Sequence, residues 1–121
     1  MPVTRGTLTL RREDGRVVCE SVGVADSTLR RLRGLLGRRS LRDGEGIVLR
    51  PAWSIHTAFM RFPIDVVFLD REHRVLRVFP ALGPWRLVSG TRQAHTVLEF
   101  GAGTLARTPL VPGDIVVMAR G

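Results

Sequence analysis

The chain has 121 residues, a single cysteine and a net charge of +8 carried entirely by arginine. That length suits one domain burying roughly 65–70% of its unfolded surface, and a lone Cys19 excludes an internal disulfide or a multi-cysteine zinc site. With neither lysine nor tyrosine present, Schiff-base and P-loop lysines and tyrosine acids or nucleophiles are excluded as well.

In chain order, residues 7–11 alternate polar and apolar, 13–16 form a turn, and 17–22 continue as a strand, which together predict a hairpin with Cys19 buried in its second strand. A helix is predicted over about residues 27–36, because Asp26 or Ser27 can cap it and Leu29, Leu32 and Leu36 recur at helical spacing. Gly37 is its stop, and the leucine stripe is a core-docking face. Period two returns with Ile47–Leu49. In the next strand Trp53, Ile55, Thr57 and Phe59 share one face, and Ser54, His56 and Ala58 share the other. Trp53, beside Pro51, is expected in the core. Further strands are predicted over 64–69, 75–79, 96–100 and 115–118, with a Gly/Pro loop over 80–90, at most a helical turn over 101–107, and a tight turn at Pro112-Gly-Asp114.

Seven or eight short strands and one helix predict a mainly β fold, a compact jelly-roll-like barrel or sandwich with the helix packed on it. Parallel βαβ units are not expected, since too few helices are available for crossovers. No apolar run approaches the ~18–20 residues of a membrane span, and the start MPVTRGTLTLRRED carries no apolar signal segment. The expectation is one cytoplasmic domain over 1–121.

Several motifs, in fixed order, carry a resemblance: Arg33-Gly-Leu-Leu-Gly-Arg38, Gly44 to Leu49, His56-Thr57 through Met60, Pro63, Ile64-Asp65, Phe68-Leu-Asp70, Val97-Leu-Glu99 with Gly103, and Pro112-Gly-Asp114. Over about residues 25–118 the chain resembles the family called domain of unknown function 192. The resemblance implies a small jelly-roll-like or barrel-like fold with no settled biochemical role. Its motif positions fall on Gly34, Leu35, Gly37, Arg38, His56, Thr57, Met60, Asp65, Phe68, Asp70, Glu99, Gly103, Gly113 and Asp114.

His56 and Asp65 are the foremost site candidates, because polar groups between apolar runs need partners. With Ser54 two positions before His56, a Ser54–His56–Asp65 catalytic cluster is conceivable, but no G-x-S-x-G elbow or oxyanion loop accompanies it. The residues favour internal satisfaction instead, with Asp65 bonded to Thr57, Arg61 or amides near Pro63. A metal set of His56, His95 and Asp65 or Glu99 has suitable ligand types but no recognised spacing, so no metal and no cofactor are expected. Glu99 is read as tied to Arg38 or Arg92. Trp85, in its Gly/Pro loop with Arg86 and Arg92 near, is a candidate exposed anchor.

The charge is uneven, with ten arginines against four carboxylates in residues 1–42. Arg30, Arg31, Arg33, Arg38, Arg39 and Arg42 form a carboxylate-free basic patch suited to an acidic partner. The leading expectation is a non-catalytic ligand-binding or protein-interaction module using His56, Thr57, Met60, Asp65 and Trp85, with arginines favouring an acidic protein or a small anionic ligand. The alternatives are a hydrolase-like or metal-dependent enzyme using His56 and Asp65, and an arginine-mediated nucleic-acid binder. The last lacks aromatic residues within the basic patch.

Overall fold

The structure is a computed structural model that describes residues 8–25, 44–57 and 61–120. The described residues are mainly β: β1 (Leu8–Arg12), β2 (Val17–Ala25), β3 (Glu45–Leu49), β4 (Ser54–His56), β5 (Ile64–Leu69), β6 (Val75–Leu82), β7 (Leu87–Ser89), β8 (Thr96–Gly101), the short helix α1 (Thr104–Arg107) and β9 (Val116–Arg120). The helix predicted over 27–36 lies outside the described residues, as do Met60 and the whole Arg30–Arg42 patch. Among the described residues no helix is long and apolar enough to cross a membrane.

Seven strands form one curled sheet in the order β6-β5-β8-β3-β2-β1-β9, and β4 and β7 form a separate two-stranded ribbon. An isolated bridge between Arg74 and Ile115 joins the starts of the edge strands β6 and β9 and curls the sheet into a half-barrel. The predicted β1–β2 hairpin is present. One pair is parallel, β2 with β3, from Ser21↔Glu45 to Ala25↔Leu49, and the segment that links the two strands, residues 26–43, lies outside the described residues.

β5 and β8 are buried at every position, which is why they read as near-continuous apolar runs. Both faces of the sheet are covered. One face packs Leu10, Val22, Val48, Val67, Leu98 and Phe100 with Leu105 of α1. The other packs Ile47, Val66, Phe68 and Val97 against Ile55 of β4 and Phe62. The register shows how the two faces alternate: Asp65 pairs with Phe100 and Val66 with Glu99.

The approach of β8 and the hairpin to β3 is close at Gly46. A Cβ there would lie 2.8 Å from Phe100 Cδ1, 3.0 Å from the Glu99 carbonyl oxygen and 3.1 Å from Cys19 Sγ. Backbone cannot retreat without breaking ladder bonds, so Gly46→Ala is expected to destabilise by about 1–3 kcal/mol through overpacking. Gly83→Ala, whose Cβ meets nothing within 4 Å, is expected within about 0.5 kcal/mol of the parent. Urea unfolding midpoints of the two variants measure the difference.

Candidate functional site

Asp65 is 1% exposed, and both of its carboxylate oxygens accept backbone N–H groups. Oδ1 takes the amide of Ala81 at 2.8 Å and Oδ2 that of Leu105 at 2.9 Å. Each donor is one that its own element cannot satisfy. The β5–β6 register slips between Ile64↔Leu82 and Val66↔Phe79, so Pro80 and Ala81 bulge opposite Asp65. Ala81 sits at φ +50°, and Asp65 receives its amide. α1 begins after Gly103, which provides no side-chain cap, so the first-turn amide of Leu105 is capped by Asp65 across 40 residues of sequence. The carboxylate also faces the positive end of that helical turn. The partners are therefore backbone amides, as expected, but not those near Pro63, nor Thr57 or Arg61.

His56 occupies the opposite situation. On β4 its neighbour Ile55 is buried in the second core while His56 is exposed. His56 pairs with Leu87 of β7 and Ser54, half-buried, pairs with Ser89. Ser54 and His56 thus share the outward face of the ribbon, whereas Asp65 lies in the sheet with its oxygens committed to Ala81 and Leu105. The three are not brought together as a catalytic cluster.

The other proposed ligands also separate. Glu99 is 2% exposed and pairs with Ile47 and Val66, on the sheet face opposite to Asp65. His95 precedes β8, its ring Nδ1 lies 3.1 Å from Thr96 Oγ1, and four residues of strand place it about 13 Å from Glu99. Among the described residues no three His, Cys, Asp or Glu side chains converge as a metal site.

Thr57 and Trp85 do meet. Thr57, buried, donates its hydroxyl to the Gly83 carbonyl at 2.7 Å and accepts the Arg86 amide at 2.8 Å. Its backbone N–H donates to Arg86 O at 2.8 Å, and Trp85 N–H donates to Thr57 O at 3.1 Å. This clamp holds Trp85 at φ +62°, a left-handed position that glycine usually fills after proline in a turn. Trp85 is 66% exposed, Leu87 76% and Trp53 65%. The expectation of a core Trp53 is therefore corrected: it stands just before β4 begins, where its carbonyl accepts the Gly90 amide at 2.8 Å and the side chain has left the strand alternation that buries Ile55. Of the five large apolar side chains exposed among the described residues, Leu87 lies in the ribbon and Trp53 and Trp85 lie within two residues of its strands; Val111 and Val117 lie apart, near β9. Periodicity reads Trp53 as part of a buried strand, and the loop expected over 80–90 is corrected, because β6 runs on to Leu82 and β7, with Leu87 exposed, lies within it.

Cys19 is buried and donates from Sγ to the Gly44 carbonyl at 3.0 Å. Burial, aided by Glu45 and Glu20, pushes its pKa up to about 11, which makes it a packing residue and not a nucleophile.

Over residues 9–118 the chain matches the family model DUF192, described as "Uncharacterized ACR". The chain belongs to this family. A UPF0127 protein of Thermococcus gammatolerans is 30% identical over 113 residues, covering 90% of this chain and 73% of that protein. A UPF0127 protein of Pyrococcus horikoshii is 36% identical over 86 residues, covering 68% and 73%. Among solved structures, a Sinorhizobium meliloti protein provisionally described as a transcription regulator superposes with a TM-score of 0.80 at 21% identity, over 96% of this chain and 95% of that one. At that identity the likeness shows the fold alone.

Two outcomes are expected. Asp65→Ala strips both amides of a charged acceptor and should cost about 3–6 kcal/mol, with Asp65→Asn intermediate because one carbonyl acceptor survives; urea unfolding of both variants is the check. Cys19 in the folded protein should react with a disulfide reagent at a rate rising about tenfold per pH unit from 8 to 10 without levelling near the ordinary thiol value of ~8.5. The sign follows because the folded state holds the thiol proton up to about 11, so folding stability falls as pH rises from the unfolded value through that pKa.

Proposed function

We propose that the chain is a non-catalytic interaction module that engages an acidic, apolar segment of a partner protein on the outward face of the β4–β7 ribbon. One observation carries this reading: both tryptophans and Leu87 stand exposed in or beside one small ribbon, with Trp85 held in a left-handed conformation by a buried threonine clamp. Exposed aromatic anchors on a rigid support are the usual basis of a protein contact. A strained non-glycine residue costs about 1–3 kcal/mol and persists only where surrounding structure over-determines it.

Charge selects the partner's chemistry. Residues 46–64 and 73–98 contain no carboxylate, Arg86 immediately precedes β7, and Arg61 follows β4 by five residues. Arg61 and Arg86 are exposed. Between those spans lie Asp65, buried and bonded to amides, and Asp70 and Glu72 in the turn after β5. Exposed aromatic and leucine side chains with exposed arginines near them in sequence suit aliphatic or aromatic side chains flanked by Asp or Glu. Ser54 and His56 border the ribbon's outward face, and Thr57 acts through Trp85. A catalytic use of His56 and Asp65 finds no support in this geometry.

Panning a random peptide library against the full chain should enrich acidic, apolar sequences. Those peptides should be lost by Trp85→Gly and by Leu87→Ser, while enrichment that survives both substitutions, or none at all, sinks the reading. Trp85→Gly is expected to leave the unfolding midpoint unchanged or to raise stability by up to ~1 kcal/mol, because glycine relieves the left-handed strain.

A further inference from the structure

We propose a second site, independent of the ribbon: a recess at the β5–β6 turn that binds small phosphorylated compounds of the pyrophosphate class. The recess is a half-open surface hollow of about 570 Å³, within the ~300–1,000 Å³ range of small-ligand sites. Arg71 and Arg74 line it from the turn after β5, and Arg92 and His95 from the segment before β8. The two carboxylates present are Asp70 and Glu72.

Both walls are held by backbone bonds. Asp70 Oδ1 accepts the amides of Glu72 and Arg74, each at 2.9 Å, so one of its oxygens serves its own turn. Opposite, His95 N–H donates to Leu69 O at 2.9 Å, Ala52 N–H donates to His95 O at 2.8 Å, and Ala94 N–H closes a turn onto Thr91 O at 3.0 Å. The His95 ring is oriented by its contact with Thr96 Oγ1 at 3.1 Å. The lining residues are therefore carried on two backbones fixed by hydrogen bonds.

Three guanidinium groups, those of Arg71, Arg74 and Arg92, outnumber the two carboxylates of the recess, Asp70 and Glu72. Three arginines and a histidine lining one open volume suit adjacent phosphate groups, which accept paired N–H bonds from arginine. Glu72 opposes such a ligand, and its neutralisation should strengthen binding.

Calorimetric titration of the full chain with inorganic pyrophosphate, at fixed ionic strength, tests the site. Saturable one-to-one binding is expected, weakened about tenfold or more in Arg74→Gln/Arg92→Gln. Arg11→Gln/Arg120→Gln removes the same charge from outside the recess and is expected to change affinity less than about twofold. Glu72→Gln should tighten binding. All of these side chains are exposed, and unchanged unfolding midpoints confirm that each variant folds. Absence of saturable binding overturns the proposal. So does equal weakening by the two double variants, which would show only the field of a basic protein. The recess variants should retain the ribbon's peptides, which separates failure of this site from failure of the ribbon.

Discussion

The carboxylate of Asp65 is the interaction on which the arrangement around the ribbon depends. A buried carboxylate without partners would cost several kcal/mol or take up a proton. Here it accepts two amides that two other elements leave over, one from the bulge in β6 and one from the first turn of α1. The bulge exists because Pro80 has no N–H to give and Ala81 adopts φ +50°, and α1 lacks a side-chain cap because it begins at Gly103. A central strand, an edge strand and a helix are thereby joined at one side chain.

That junction reaches the exposed ribbon through the chain itself. Ile64 pairs with Leu82 only because the bulge absorbs an extra residue, and Leu82 leads directly into Gly83-Pro84-Trp85-Arg86. Thr57 then receives this turn from the other side, donating to Gly83 and accepting from Arg86. On the far flank, α1 is tied to the β1–β2 hairpin through Arg16 to Arg107 O at 2.9 Å and Thr108 Oγ1 to Val17 O at 3.1 Å. The position of Trp85 is thus determined by polar contacts at Asp65 and Thr57, each made to backbone, more than by packing of the tryptophan itself.

Much of the sheet was legible in the sequence because its signals are local. The hairpin of β1 and β2, the runs that became β5 and β8, and the burial of Cys19 follow from alternation, turn residues and side-chain type. Partner choice was not legible. The amides that satisfy Asp65 come from Ala81 and Leu105, 16 and 40 residues away, and nothing in local pattern marks either as a donor. The parallel pairing of β2 with β3 is likewise a choice of partner that strand periodicity does not encode. Trp53 was misread because composition favours burying a tryptophan beside strand residues, whereas the strand alternation begins only after it.

The stretch from His56 to Asp70 shows how one sequence motif divides into two physical roles. Strand parity and the change of sheet between β4 and β5 send His56 outward and Asp65 inward, so residues nine positions apart serve opposite sides of the structure. Burial of Trp53, Trp85 and Leu87 would be worth about 1.5–3 kcal/mol for each large apolar side chain, yet all three are exposed. Stability is supplied elsewhere, by β5 and β8 packed on both faces and by the Asp65 junction. The ribbon is left with apolar surface that folding does not use, held in place by contacts that folding does use, and that separation is the physical basis for reading it as a surface meant for another molecule.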